Sequence, residues 1–168
     1  MTVSRSTHSR SELTLAQVML PEDANPLGNV HGGTLMKLAD TAGGTCAIRH
    51  ARRPMVTVVV DSMTFEEPVY VGNLVVLNAC VTWTGHTSLE TEVSIEAEDT
   101  LTGDVRHIST AYFVYVAIDE RGKPTPVRPL EVNTDEQRRR WQAAERRRAA
   151  RLQPRDHQAS LVGADERA

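Results

Sequence analysis

An acidic residue inside an apolar helical pattern is the first feature of this sequence that could do chemistry. Residues 33–49 place apolar or small side chains over most of a helix circumference, and Asp40 lies among them. An unpaired buried carboxylate is costly, so Asp40 must be paired, hydrogen-bonded or exposed in a cleft. In a cleft it could serve as a base or a nucleophile. The simpler alternative is a surface position paired with Lys37, three residues earlier.

The loop before this helix adds further candidates at the loop-to-helix junction. Gly32 and Gly33 lie where the helix begins, and glycine there lets a ligand oxygen approach the free backbone N–H groups. An ordinary turn into a helix explains the same two glycines. His31 could act as a general acid or base, although a histidine in this position usually forms a local hydrogen bond. Asn25, directly before Pro26, also fits a common turn.

One helix and five strands are predicted to position these residues, on the evidence of periodicity and turn residues. The helix covers residues 33–49, and the strands cover residues 13–20, 56–65, 74–84, 88–98 and 105–118. Alternation in the strand 88–98 predicts one water-facing side, which carries its glutamates. Consecutive long strands favour an antiparallel sheet, so the fold class is α+β, and a lone apolar helix before them suggests a sheet wrapped around that helix.

Composition narrows the class of protein further. The 168 residues suit one domain, and an apolar fraction of 40% rules out a collagen-like, disulfide-knot or wholly disordered chain. Residues 1–127 carry a net charge of −6, which argues against a nucleic-acid-binding core, whereas residues 128–168 carry +3.

The two cysteines and the absence of targeting patterns bear on the compartment. Cys46 and Cys80 are far apart in the sequence and are predicted to be buried free thiols. Because there is no signal-peptide pattern and no apolar span, we expect a cytoplasmic protein with no membrane partner.

The combined spacing of the loop and helix residues is more specific than its parts. Residues 25–40 read N-x-x-G-x-x-H-G-G-x-x-x-x-x-x-D, in a chain with one apolar helix and a long meander. This pattern resembles the hotdog-fold acyl-CoA thioesterases, specifically the cytosolic acyl-CoA hydrolase group, from about residue 13 to residue 130. Short supporting matches occur at residues 60–65, 68–69, 71–73, 85–88 and 109–117.

The resemblance implies an antiparallel β-sheet wrapped around one long central helix, in a domain over residues 12–130. It also implies a homodimer with active sites at its interface, and a hexamer built as a trimer of dimers. The implied reaction hydrolyses acyl-CoA to a free carboxylic acid and CoA, without a metal or a cofactor, since coenzyme A is part of the substrate. Asp40 would be the base or nucleophile, Asn25 would face it from the partner subunit, and the Gly33 N–H would polarise the thioester carbonyl.

Substrate-binding residues are implied as well. The resemblance places the pantetheine channel at Ser62 and Met63, and the CoA nucleotide near the turn 85–88. The implied set is His31, Gly32, Ser62, Met63, Gly85, His86, Thr87 and Ser88. Some relatives carry a basic residue where this chain has His86, so the charge that binds phosphate must come from elsewhere. The candidates for that charge are Arg49, Arg52, Arg53 and Arg106.

Two other functions fit the same residues. A hotdog hydratase or dehydratase acting on acyl-CoA would pair a histidine with a carboxylate, and His31 with Asp40 is the only candidate pair in the sequence. A non-catalytic acyl-CoA-binding protein would need no base, so the complete set of Asn25, Gly33 and Asp40 disfavours it.

The C-terminal region, residues 131–168, is predicted to be an Arg-rich helix and tail. Residues 135–152 contain two triple-arginine clusters and little apolar surface. The simplest expectation is a solvated terminal helix, and residues 1–11 and 153–168 are expected to be disordered. Alternatively, the helix packs against the acidic body of a neighbouring subunit with Trp141 as its anchor, or its charge binds phosphate or nucleic acid.

Overall fold

The computed structural model describes residues 11–153, which form two α-helices and five strands. The helices are α1 (Gly32–Ala51) and α2 (Asp135–Leu152). The strands are β1 (Glu12–Val18), β2 (Met55–Val60), β3 (Leu74–Thr84), β4 (Ser88–Glu98) and β5 (Val105–Ala117). Apart from Ser11 and Gln153, the two ends predicted to be disordered lie outside the described residues. Neither described helix combines the length and the apolar character needed to cross a lipid bilayer.

The five strands form one antiparallel sheet in the order β1-β3-β4-β5-β2. This confirms the predicted α+β class with an antiparallel sheet around one helix. In a simple meander of the last four strands, β2 would lie beside β3. Here β1 takes that place and pairs with β3 from Glu12↔Cys80 to Val18↔Leu74. β2 instead pairs with β5 at the opposite edge of the sheet, and residues 61–73 connect it to β3.

Helix α1 lies across one face of the sheet and contacts all five strands. Its buried apolar residues are Leu35, Leu38, Ala39, Ala42, Cys46, Ala47 and Ala51. They pack with alternate residues of the strands, such as Leu77 and Ile95, which are fully buried. The opposite face of α1 stays exposed in the single chain, with Met36 and Ile48 almost half exposed. One face of α1 is therefore open in the single chain, although apolar or small side chains cover most of its circumference.

Element ends differ from the predictions where side chains or tertiary contacts set them. Helix α1 begins one residue earlier than predicted, because His31 caps it by accepting the Gly33 N–H. It ends two residues later, where Arg52 adopts a left-handed conformation with φ of 56°. Strand β2 ends at Val60 and not at residue 65, since two isolated backbone bonds, not a continuous ladder, join residues 61–66 to β5.

Helix α2 packs on the face of the sheet opposite α1. Its Trp141 lies 6.1 Å from Trp83 of β3 between ring centroids, and its Ala144 is buried. Its arginines pair with the glutamates of β4, which include Glu90. The expectation of a solvated helix is therefore wrong, and the acidic surface that α2 contacts belongs to its own chain. The prediction that the glutamates of β4 face water is therefore wrong at Glu90, because α2 covers this residue completely.

Candidate active site

Asp40 lies in the middle of α1, half-buried, on the side that faces β2 and β5. Its Oδ1 accepts a hydrogen bond from the Thr57 Oγ1 hydroxyl at 2.8 Å and another from the Tyr115 hydroxyl at 3.2 Å. Within residues 11–153 no ion pair joins Lys37 to Asp40, so the surface-pair alternative is wrong. The carboxylate is satisfied by two neutral hydroxyl groups.

Both hydroxyl donors converge on the same carboxylate oxygen. Thr57 of β2 and Tyr115 of β5 are direct partners across the antiparallel pair, and such partners project from the same face of a sheet. That face is turned toward α1, which brings both hydroxyls to Asp40 Oδ1. No hydrogen bond to Oδ2 is formed by the described part of the chain. The arrangement therefore orients the carboxylate and leaves one oxygen free for water or substrate.

Tyr115 is a buried donor held close to the helix backbone. Burial, followed by the charge and hydrogen bond of Asp40, raises the pKa of Tyr115 far above its ordinary value, so the phenol keeps its proton. A Cβ atom at Gly43 would lie 2.7 Å from the Tyr115 hydroxyl, so the helix accepts this glycine to admit the ring. Neither Thr57 nor Tyr115 was predicted as a site residue, because each gives no sequence signal beyond the strand that contains it.

The N-terminus of α1 forms a second part of the site. His31 Nδ1 accepts the Gly33 N–H at 3.1 Å. This is a local hydrogen bond of the kind that is usual for a histidine in this position. To polarise a thioester carbonyl, the Gly33 N–H would have to leave His31 and donate to the carbonyl oxygen of the thioester. The ring of Phe65 lies 3.3 Å from the Cβ position of Gly32, so glycine allows the segment after β2 to approach the helix terminus.

Asn25 is not brought to Asp40 within the chain. Its Oδ1 accepts the Leu27 N–H at 2.8 Å, and its backbone N–H donates to the Asn29 oxygen at 2.7 Å, so the loop holds it in a defined turn. Gly28 completes this turn with φ of 86°. Within the described residues no hydrogen bond joins Asn25 to Asp40. The predicted role of Asn25 therefore depends on a second subunit.

The predicted substrate-binding residues occupy three places, of which the N-terminus of α1, with His31 and Gly32, is described above. Ser62 and Met63 follow β2 close to the site, and Met63 packs partly against the core. Residues 85–88 form the tight β3–β4 turn, which the Gly85 N–H closes by donating to the Ser88 oxygen at 2.7 Å. His86 and Thr87 form the middle of this turn.

The four arginines considered for phosphate binding differ in how they are engaged. Arg49 donates to the Glu12 backbone oxygen, and Arg106 pairs with Glu67 at 3.0 Å. Arg52 and Arg53 are exposed just before β2. They lie at the end of the sheet that carries the β3–β4 turn, since the adjacent N–H groups of Ala117 and Ile118 donate to the Thr87 and Pro54 oxygens.

The candidate site is an open surface in the single chain. A cavity of about 460 Å³ lies on the side of the sheet that carries Asn78 and Ser94, with Arg49 and Arg140 at its border, and Asp40 does not line it. Reactive groups usually lie in concave sites. The half-exposed position of Asp40 outside this cavity is therefore consistent with a site that another surface completes.

An antiparallel sheet wrapped around one central helix is the architecture of the hotdog class of α+β proteins. The chain belongs to the thioesterase superfamily, whose family model matches residues 27–103. Protein VdlD of Helicobacter pylori is 35% identical over 145 residues, which cover 86% of this chain and 83% of that protein. A Bacillus subtilis relative, named uncharacterized acyl-CoA thioester hydrolase YkhA, is 32% identical over 154 residues, covering 92% of this chain and 90% of that protein.

Solved structures agree with this family assignment. An apo-hexameric acyl-CoA thioesterase superposes with a TM-score of 0.81 at 34% identity, covering 84% of this chain and 91% of that chain. The acyl-CoA hydrolase of Staphylococcus aureus, solved with butyryl coenzyme A, coenzyme A and coenzyme A disulfide, gives a TM-score of 0.78 at 28% identity, covering 84% of this chain and 87% of that chain.

Three variants of the Staphylococcus aureus hydrolase, each 27% identical to this chain, carry alanine in place of an aspartate, an asparagine or a threonine. In that protein the asparagine precedes the aspartate by 15 residues and the threonine follows it by 17. Asn25, Asp40 and Thr57 have the same separations in this chain.

Proposed function

We propose that this protein is an acyl-CoA thioesterase, which hydrolyses acyl-CoA to a free carboxylic acid and CoA. The observation that carries the proposal is the Asp40 carboxylate, oriented by Thr57 and Tyr115, in a member of the thioesterase superfamily. The matching spacing of asparagine, aspartate and threonine in an acyl-CoA hydrolase supports the same residues here. Coenzyme A is part of the substrate, and the proposed reaction uses no metal and no resident cofactor.

Asp40 supplies the reactive oxygen in the proposed reaction. Its Oδ2 either removes a proton from an attacking water or attacks the thioester carbonyl to give a mixed anhydride that water then hydrolyses. In both routes the carbon–sulfur bond breaks and CoA leaves as its thiol. The Gly33 N–H, at the positive end of α1, stabilises the charge that develops on the carbonyl oxygen. His31 releases that N–H and takes no proton in this scheme.

A second subunit completes the proposed site. Strand β2 is an edge strand whose Val56, Val58 and Val60 are between 40% and 51% exposed, so its free edge and apolar side chains suit pairing with another sheet edge. Pairing there would bring a neighbouring chain to the strand that carries Thr57. In this homodimer Asn25 of the partner subunit positions water or substrate at Asp40, and three such dimers form a hexamer, as hexameric neighbours suggest.

The substrate would extend from Asp40 toward the end of the sheet that carries the β3–β4 turn. Ser62 and Met63 lie beside the pantetheine arm, and the turn 85–88 lies near the nucleotide. Arg52 and Arg53 are exposed at that end and would supply positive charge for the phosphates of CoA. No nucleic-acid or membrane partner is proposed, and the cytoplasmic location stays a prediction.

Replacement of Asp40 tests the proposed reaction. The purified protein is mixed with acyl-CoA substrates of several chain lengths and the free thiol is measured over time. We expect release by the unaltered protein and a fall in kcat of about 100-fold or more for Asp40→Asn, because the general base or nucleophile is lost. Lys37→Ala, exposed on the same helix, serves as the control and keeps its activity. If no chain length gives thiol, the thioesterase proposal is wrong.

The hydratase or dehydratase alternative has weaker support. The only candidate pair for it, His31 with Asp40, forms no hydrogen bond within the described residues, because His31 is engaged by Gly33 and Asp40 by hydroxyl groups. Hydration of an enoyl-CoA without thiol release would favour this alternative over hydrolysis.

A further inference from the structure

A buried cluster of charges joins α2 to the sheet. Glu90 of β4 is 0% exposed and accepts hydrogen bonds from the Thr82 hydroxyl and from two arginines of α2. Arg147 approaches it to 2.6 Å, and its guanidinium lies 3.6 Å from the centre of the Tyr112 ring. Burial acts to lower the pKa of Arg147, but the hydrogen bond and charge of Glu90 outweigh it and raise that pKa. Arg147 therefore keeps its charge, and its contacts with Glu90 and Tyr112 join α2 to the sheet.

Arg151, in the last turn of α2, is shared between two carboxylates. Its Nη1 lies 2.7 Å from Asp61 Oδ2 and 3.2 Å from Glu90 Oε2, and its side chain is 17% exposed. Asp61 is the first residue after β2. Arg151 thus ties the end of the C-terminal helix to the segment that leaves the edge strand.

That segment, residues 61–66, follows the strand that carries Thr57 and contacts the N-terminus of α1. Thr57, four residues before Asp61, donates to the Asp40 carboxylate. Phe65, four residues after Asp61, lies against Gly32 at the N-terminus of α1. Backbone bonds hold the two ends of the segment, from the Asp61 N–H to Tyr112 and from the Glu66 N–H to Ile108. Residues 62–65 lie between these two bonds, and among them Phe65 contacts the N-terminus of α1.

We propose that Arg151 is a positioning residue for substrate binding, which acts by holding Asp61 and thereby ordering residues 62–65. This inference rests on the proposed function. Asp40, Thr57 and Tyr115 are held independently by α1 and by the β2–β5 pair. The loss of the Arg151–Asp61 contact therefore weakens substrate binding and leaves the chemical step intact. The Arg-rich helix then has a function in the same site, although it lies on the opposite face of the sheet.

Steady-state kinetics of Arg151→Ala and Asp61→Ala test this proposal. We expect KM for acyl-CoA to rise about fivefold in each variant while kcat changes less than about twofold. Arg146→Ala, exposed on the same helix, is the matched control and leaves both constants unchanged. Asp61→Ala keeps the pairs between Glu90 and the two arginines, so it remains informative where Arg151→Ala is too unstable to purify. In the double variant KM rises no further than in the single variants, because both changes break one contact.

Hydrogen exchange of the peptide that spans residues 61–66 provides a readout that needs no activity. We expect faster exchange in Asp61→Ala and Arg151→Ala than in the unaltered protein and in Arg146→Ala. Unchanged exchange, unchanged KM in an active enzyme, or an equal rise of KM in Arg146→Ala would each overturn the role of Arg151. If the unaltered protein releases no thiol, the proposed function fails instead, and the exchange result alone still decides whether Arg151 orders the segment.

Discussion

Asp40 depends for its orientation on two hydroxyl groups that are distant in the sequence. Thr57 follows it by 17 residues and Tyr115 by 75, yet both donate to the same carboxylate oxygen. A hydrogen bond to a charged group is worth about 1.5–3 kcal/mol, so these bonds are strong enough to fix a side chain that otherwise rotates. The geometry follows from one cross-strand pair that faces one turn of α1.

Removal of either hydroxyl tests this orientation. We expect Tyr115→Phe and Thr57→Val each to lower kcat about tenfold, because one charge-assisted hydrogen bond is lost while the shape of the side chain is nearly kept. KM for acyl-CoA stays close to its original value. Tyr112→Phe, on the same strand but on the opposite face, is the control. Steady-state kinetics that gave an unchanged kcat for Tyr115→Phe would contradict the proposed role.

The two cysteines are predicted to react slowly in the folded protein. Burial, ahead of smaller charge effects, raises the pKa of Cys46 to about 12 and that of Cys80 to about 11. The thiolate is the reactive form, so very little of it exists at pH 8. We expect slow labelling by a thiol reagent at pH 8, faster labelling as the pH rises, and complete labelling of both thiols in denaturant. Rapid labelling of Cys46 in the native protein would contradict this. The same test measures the background of the thiol-release assay.

At the scale of the elements, two adjacent glycines of α1 are predicted to differ in their tolerance of a side chain. A Cβ at Gly43 would lie 2.7 Å from the Tyr115 hydroxyl and 2.8 Å from Thr91 Oγ1. A Cβ at Gly44 would lie no closer than 3.4 Å to any such neighbouring atom. We expect Gly43→Ala to destabilise the protein by about 1–3 kcal/mol and to lower kcat by displacing Tyr115. Gly44→Ala should be neutral or stabilise by up to about 1 kcal/mol through helix propensity.

Urea unfolding of the two glycine variants, combined with their kcat values, separates these effects. The Gly44 variant controls for the general effect of alanine on the helix. Equal stabilities for the two variants would mean that the approach of Tyr115 to α1 is not as tight as the distances indicate.

At the scale of the whole molecule, the charge split of the sequence is resolved by packing. The basic C-terminal region and the acidic body meet where α2 covers β4, and Arg140 and Arg147 pair there with Glu92 and Glu90. Much of the positive charge of the C-terminal region is therefore used within the chain. Arg52 and Arg53, which directly follow the C-terminus of α1, are exposed and remain available for an anionic substrate.

Mixed subunits test whether the site is shared between two chains. Asn25→Ala and Asp40→Ala are each expected to be inactive alone, because each removes one half of both sites in a dimer. When the two variants are co-expressed or refolded together, mixed dimers contain one intact site. We expect recovery of about a quarter of the original activity, from random pairing of the subunits. Thiol release measured against the separately refolded variants checks this, and no recovery would place Asn25 and Asp40 in the same subunit's site.

Residue types and periodicity were sufficient for most of the elements and for the family. The strands β3 and β4 begin and end where alternation and turn residues predict, because short-range sequence controls both. The motif from Asn25 to Asp40 is local as well, since loop and helix follow one another in the chain. Asp40, Gly33 and Asn25 could therefore be selected as candidates without coordinates.

Tertiary structure alone decided the groups that surround them. The register of β2 against β5 places Thr57 beside Tyr115, and the crossing of α1 brings both to Asp40, which no local pattern encodes. The docking of α2 buries Glu90, although alternation predicts that it faces water. Side-chain alternation reports the two faces of a strand, but whether a face is wet depends on what packs there. The sequence thus determined the candidate carboxylate and its loop, whereas long-range packing determined the hydroxyl groups that orient it.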